Sequence, residues 1–274
     1  MKYEKQSGLQ EVRLLFFAIC NIMIFMKQVS NYTIIYDDDD ILVVNKKSGL
    51  LVASDRYDSE SLRLDKELEK IYGKLFALHR IDKDASGLVV YAKNPESHKQ
   101  LSLQFKNNSV KKTYHALIYG RPFWDNHTAE LYLLADSDAK HRTLINKKSG
   151  KLCKTEFLNL GPAGPYTWIE AVTFSECIEQ IRAALLEQKL SIVCDSLYGG
   201  NQKPVRLSEI KRSYHGDVFE ERPLLSRLAL HLYKIEFIHP KKNDVMIFTA
   251  PYFKDMDSVR KQLAKLFRSD PLAE

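Results

Sequence analysis

Residues 79–93 set one carboxylate where it could do chemistry: His-Arg-Ile-Asp-Lys-Asp-Ala-Ser-Gly, followed by Leu-Val-Val-Tyr-Ala-Lys. Asp82 falls in a polar turn beside Arg80 and Lys83, and Gly87 gives the backbone freedom just after it. The apolar run that follows would tie this turn to a rigid strand. A carboxylate held in that way can act as a nucleophile or as a general base, whereas a solitary Asp in a charged turn is ordinarily solvated or capping. The neighbours that the rest of the chain supplies decide between the two.

Two distant segments supply them. Lys111-Lys112-Thr113-Tyr114-His115-Ala116-Leu117-Ile118-Tyr119-Gly120 is a strand-like run carrying a tyrosine, and Gln180-Ile181-Arg182 carries an arginine beside an apolar stripe. Together with residues 79–93 these segments resemble the three motifs of the RluA-type family of RNA pseudouridine synthases. That pattern reads His-Arg-Leu-Asp-x-x-Thr-Ser-Gly, then Lys-x-Tyr-x-Ala, then Thr-Gly-Arg-Thr-His-Gln-Ile/Leu-Arg. The resemblance implies that Asp82 is the catalytic aspartate, that Tyr114 meets the target uracil, and that Arg182 pairs with Asp82. It extends through Tyr36–Leu51, Asp195-Ser196-Leu197-Tyr198-Gly199, Arg227–His231, Phe237–Pro240 and Phe248–Pro251, and so covers most of residues 33–253.

The third motif departs from the pattern. Ser175-Glu176-Cys177-Ile178-Glu179 stands where Thr-Gly-Arg-Thr-His is expected, so a basic turn has become acidic. Glu176 and Glu179 are therefore expected to bring negative charge near an RNA path and to alter binding. Ala85 for Thr and Lys47 for Pro are milder changes. The departure keeps a second reading open, an RNA-binding or RNA-chaperone protein of impaired catalysis on the same fold.

Composition suits a single catalytic domain. The 274 residues can bury a sizeable core, and 45% hydrophobic with 28% charged is ordinary globular usage. Forty-one Lys and Arg against 35 Asp and Glu give a formal charge of +6, which suits RNA without demanding it. Arg80, Lys111 and Lys112 are the expected RNA contacts, and the Lys- and Arg-rich stretches 140–154 and 203–212 could add phosphate contacts. The run Asp37–Asp40 reads as a turn between strands, because adjacent carboxylates on an extended chain point to alternate faces and cannot converge on one ion.

Cys20, Cys153, Cys177 and Cys194 show no Cys-x-x-Cys pair and no zinc-like spacing with histidine. The expectation is no disulfide framework, no metal, no cofactor and a cytoplasmic home. The apolar stretch Leu14–Met26 is shorter than the roughly 20 residues a membrane span needs, and Met26-Lys27-Gln28-Val29-Ser30 lacks a small-x-small cleavage site. We read residues 1–28 as an extension upstream of a start at Met26 or as a short docked helix, with the catalytic domain over 29–274. With so short a lead, no S4-type RNA-binding module, which many relatives carry, is expected. RNA selection is then expected within the catalytic domain.

Strand-like runs at Ile34–Tyr36, Ile41–Asn45, Leu88–Ala92, Thr113–Tyr119, Tyr166–Phe174, His231–Ile238 and Val245–Thr249 must position the motifs. Helices are predicted over Pro95–Asn107, with Asn94 as cap and Pro95 in the first turn, over Ser175–Gln188, and over Ser258–Phe267. Pattern alone gives an α+β protein. The resemblance adds a mainly antiparallel mixed sheet with flanking helices and a central cleft. It also implies cofactor-free isomerisation of uridine to pseudouridine in structured RNA, ribosomal or transfer, by a monomer with no DNA or membrane partner.

Overall fold

The computed structural model describes residues 31–54, 61–199 and 203–273, so expectations for the apolar stretch Leu14–Met26 lie outside the described residues. Among the described residues, eleven strands form one sheet. In chain order they are β1 (Tyr32–Asp37), β2 (Ile41–Lys46), β3 (Phe76–Ala77), β4 (Ser86–Ala92), β5 (Lys111–Tyr119) and β6 (Asn126–Leu134). Then come β7 (Leu144–Ile145), β8 (Lys151–Ala163), β9 (Tyr166–Thr173), β10 (Leu230–Ile238) and β11 (Val245–Thr249). The helices are α1 (Leu64–Tyr72), α2 (Pro95–Lys106), α3 (Gln180–Glu187), the single turn α4 (Leu207–Ile210) and α5 (Lys254–Phe267).

The spatial order is β1-β2-β4-β10-β5-β9-β8-β6-β7, with β11 added to β10 and β3 to β4. All described pairs are antiparallel except β4 with β10. This is the α+β class with a mainly antiparallel mixed sheet. Strands β2 and β4 are buried along their whole length, which explains why they carry continuous apolar runs, Ile41–Val44 and Leu88–Ala92, rather than alternating ones. The acidic run Asp37–Asp40 forms the tight connection from β1 to β2, as expected.

The parallel pair β4–β10 is short, matching His231 with Ser86 and Leu232 with Gly87. Here glycine is required: Gly87 has φ +123°, and a Cβ would lie 2.4 Å from both the backbone nitrogen and the carbonyl oxygen of Leu232. Ser86 Oγ lies 2.9 Å from His231 Nδ1 and accepts from Arg227 Nη1 at 3.1 Å, locking the same seam. The turn carrying Asp82 enters β4 at this point.

Helix α2 starts as predicted. The Asn94 side chain accepts from Ser97 N at 2.9 Å, Pro95 occupies the first turn, and Ser97, Leu101 and Phe105 face the sheet at a spacing of four. Helix α5 begins earlier than predicted, at Lys254, and buries Met256, Val259 and Leu263. Helix α3 is shorter than the predicted 175–188. Glu179 just before it adopts the left-handed conformation, φ 56° and ψ 16°, so Ile178 never joins the expected stripe and stays exposed. Among the described residues, no helix is long and apolar enough to cross a membrane.

One expectation is overturned outright. Cys153 of β8 and Cys177, ahead of α3, form a disulfide, while Cys194 is free and buried. Their separation of 24 in sequence carries no pairing signal. Only the fold brings the early part of the third motif against β8, where Leu133, Cys153, Ala183 and Tyr198 make a small satellite core.

Candidate active site

The loop that bears Asp82 is clipped from below by a buried ammonium. Lys46, the last residue of β2, donates to the carbonyls of Lys47 (2.9 Å), Leu50 (2.7 Å), Lys83 (3.1 Å) and Ala85 (2.9 Å). Burial pulls its pKa down to about 7, opposed by the charges of Asp82 and Asp84. A ring of carbonyls suits an ammonium, with three donors, better than an amine, with two. Gly49 N also donates to Lys83 O at 2.8 Å, and Ala85 N to Asp82 O at 3.1 Å. Behind them His79, the first residue of the motif, accepts from Val90 N at 3.2 Å and stacks on Phe105. Its burial holds it neutral, with a pKa of about 3.

Arg182 is brought to Asp82 across 100 residues of chain. Its Nη1 donates to Asp82 Oδ2 at 3.2 Å and to Glu179 Oε1 at 3.0 Å. Its other edge grips Asp195 in a two-pronged pair, Nε to Oδ2 at 2.9 Å and Nη2 to Oδ1 at 2.6 Å. Asp195 is in turn fixed by the backbone N–H groups of Leu197 and Tyr198, and the guanidinium lies over the Tyr198 ring, 4.7 Å from its centre. Gln180 seats the start of α3 by donating to Thr155 Oγ1 at 2.9 Å while accepting from Ser175 Oγ.

Three carboxylates thus share one guanidinium. Burial raises the Asp82 pKa, and the opposing pull of Arg182 does not cancel it. The pairing expected between Asp82 and Arg182 is present, yet Arg182 does not hold Asp82 below the ordinary range. Arg182 itself is raised further into its charged form despite burial. Tyr114 points from β5 into the same environment: its hydroxyl pKa is raised first by burial, then by the charges of Glu176 and Asp82. A largely buried phenol of this kind stays protonated at neutral pH.

The expected RNA contacts divide. Arg80 is exposed and donates to the Ser54 carbonyl at 3.3 Å. Lys111 is partly exposed, 3.9 Å from Glu236. Lys112 corrects the expectation: its side chain is only 3% exposed, donates to Ser175 O at 3.0 Å and pairs with Glu176. Alternation along β5 turns it inward, away from any phosphate. The same contact changes the reading of Glu176, and Glu179 likewise faces the protein, since Oε2 accepts from Tyr198 OH at 2.6 Å and from Thr143 N at 3.1 Å.

Asp195, Tyr198, Glu179 and Lys46 contact Arg182 or the Asp82 loop and were not among the expected site residues. For Asp195 and Tyr198 the signal was the matched Asp-x-x-Tyr-Gly segment, and for Lys46 the strand-end Asn-Lys. Elsewhere the structure corrects the expectation that the carboxylates of Asp37–Asp40 cannot converge: Asp38 and Asp40, two positions apart, bring ligand-type atoms within 4.8 Å of one another and of His239. Lys242 and Lys241 already pair with Asp38 and Asp40 there.

The model of the family described as RNA pseudouridylate synthase matches residues 40–187. An RNA pseudouridine synthase of Helicobacter pylori is 30% identical, over 88% of this chain and 72% of that protein. The ribosomal large subunit pseudouridine synthase D of Zymomonas mobilis is 26% identical, over 84% of this chain and 72% of that protein. Among solved structures, human RNA pseudouridylate synthase domain containing 1 superposes with a TM-score of 0.62 at 22% identity, covering 90% of this chain and 98% of that one, and shares the fold. The chain belongs to the RluA-type RNA pseudouridine synthases, the isomerases that convert uridine in RNA to pseudouridine.

Proposed function

We propose that this enzyme acts on ribosomal RNA of the large subunit, with Asp82 as its catalytic carboxylate. The observation that carries the reading is the contact of Arg182 Nη1 with Asp82 Oδ2 at 3.2 Å, beside a tyrosine that feels the Asp82 charge. The RNA assignment rests on relatives named as ribosomal large subunit synthases D and C. The C1′–N1 bond of the uridine breaks, the uracil turns, and a C1′–C5 bond forms. C5 loses its proton and N1 gains one, so nothing is consumed. Asp82 acts at the ribose, either as nucleophile at C1′ or as base at C2′. Tyr114 stacks on the uracil and assists removal of the C5 proton, and Arg182 positions Asp82.

The target uridine must leave its stack, at a cost of a few kcal/mol. Exposed Arg80 and partly exposed Lys111 take the flanking phosphates. The enzyme works as a monomer on RNA and not DNA, through a catalytic domain spanning 29–274. It works in the cytoplasm, where Cys153 and Cys177 stand as a reducible pair.

Asp82→Asn keeps the shape and loses nucleophile and base character. Pseudouridine formation should fall by at least about a thousandfold while RNA binding persists. Turnover within tenfold of the parent would remove Asp82 from this role and leave the non-catalytic RNA-binding reading. Pseudouridine mapping in cells lacking the protein should show a site lost from large-subunit RNA; loss confined to transfer RNA would overturn the substrate.

A further inference from the structure

Glu179 stands where the family motif has histidine, and its placement is specific. Arg182 Nη1 carries two hydrogens, and the structure gives one to Asp82 and the other to Glu179, while Nε and Nη2 are committed to Asp195. The Glu179 backbone is left-handed, which a non-glycine residue adopts only when its surroundings hold it there. What holds it is its carboxylate, bonded to Arg182, Tyr198 OH and Thr143 N. Thr143 ends the basic loop Lys140-His141-Arg142 between β6 and β7, where Arg142 lies over the Tyr198 ring.

We propose that Glu179 is a positioning residue of the isomerisation, a second carboxylate that competes with Asp82 for the shared Arg182 nitrogen, and so sets how firmly Arg182 holds Asp82, while it fastens the Lys140–Thr143 loop to the active site. This rests on the assignment of Asp82 above.

The two carboxylates also oppose each other. Glu179 and Asp82 side chains are equally shielded, at 13% exposure, and both contact the same Arg182 nitrogen. Burial, then the Asp82 charge, raises the Glu179 pKa against the pull of Arg182, Tyr198 and Thr143. Asp82 also faces Lys46 from β2 and Asp195 from the segment after α3, whose effects oppose one another. Tyr114 from β5 stays neutral, and Glu176 is paired with Lys112. Glu179 is therefore the removable negative charge on the guanidinium edge that Asp82 uses.

The test is the pH profile of single-turnover pseudouridine formation on an RNA substrate, for the parent, Glu179→Gln, Tyr198→Phe and Asp82→Asn. The reacting form is ionised Asp82, so activity falls as pH drops through its pKa. Glu179→Gln frees Arg182 for Asp82 and removes a like charge, which should move the acid limb to lower pH by about one unit. Tyr198→Phe removes a donor that stabilises ionised Glu179, so it should move the limb in the same direction by less, and it decides the matter should Glu179→Gln fail to fold. An acid limb unmoved in a folded variant, or a uniform loss at every pH, overturns the role of Glu179. If Asp82→Asn retains turnover, the assignment of Asp82 fails instead, so the two failures are distinct.

Discussion

Adjacent residues with the same side chain have opposite roles here. Lys111 and Lys112 are indistinguishable in the sequence, and both read as phosphate contacts. The strand turns one outward and buries the other against Glu176 and the face of Phe105. Burial lowers the Lys112 pKa and raises that of Glu176, each opposed by the partner's charge, so both sides agree that desolvation is the larger effect. Breaking such a pair from one side leaves a charge without its partner, which costs more than the intact pair contributes. Lys112→Met should therefore destabilise the protein by roughly 2 kcal/mol, since Glu176 keeps some contact with water. Urea unfolding measures this, and no change in midpoint would show the pair to be dispensable. Lys111→Ala should leave stability alone and reduce the slope of log K against log salt for RNA binding by about one. A slope equal to the parent's would place the RNA on another face.

At the level of elements, what was legible depended on how each strand is buried. β2 and β4, covered on both faces, announce themselves as apolar runs, and their predicted limits stop within two residues of the observed ones. β6 and β8 went unread because one face of each meets water, so polar residues such as Glu130, Lys154 and Glu156 interrupt the pattern. The start of α3 was misplaced because hydrophobic spacing cannot register that Glu179 leaves the helical region. Three positions of the candidate site, Asp82, Tyr114 and Arg182, stand in ordered motifs, whereas Asp195 and Lys46 join it through backbone groups and partners that only the fold supplies. The β4–β10 seam is the element-scale feature on which the site depends most. Gly87→Ala would set a Cβ 2.4 Å from the Leu232 backbone, which has no flexible side chain to yield. We expect a loss of at least about 2 kcal/mol from strain at positive φ and displacement of β10. Turnover should fall even in the folded fraction, since Asp82 sits at the entry to β4. Parent-like stability and turnover together would mean that the seam adapts without cost to the site.

For the whole molecule, the disulfide joins what the sheet order leaves far apart. β8 lies in the outer half of the sheet with β6, β7 and the basic loop, whereas α3 carries Arg182 to the centre where β4 and β10 meet. Cys153–Cys177 ties these halves together at one point, and the bonds from Gln180 to Thr155 and from Thr143 to Glu179 tie them beside it. Closing a segment with a sequence separation of 24 removes unfolded-state freedom worth about 3 kcal/mol in the chain-entropy account. In a chain of this size that corresponds to a fall of roughly 6–12 °C in the melting temperature on reduction. The active site should be less affected, because Arg182 stays gripped by Asp195 on one edge and by Asp82 and Glu179 on the other. We therefore expect dithiothreitol, or the paired change Cys153→Ala with Cys177→Ala, to lower the melting temperature while turnover well below it stays within about threefold of the oxidised enzyme. Calorimetry with thiol counting checks the first part, and single-turnover assays check the second. A melting temperature that ignores reduction would mean that the bond adds nothing beyond the surrounding contacts. Turnover that collapses on reduction at low temperature would mean that the tie positions Arg182, so that the guanidinium's own partners do not suffice to hold it.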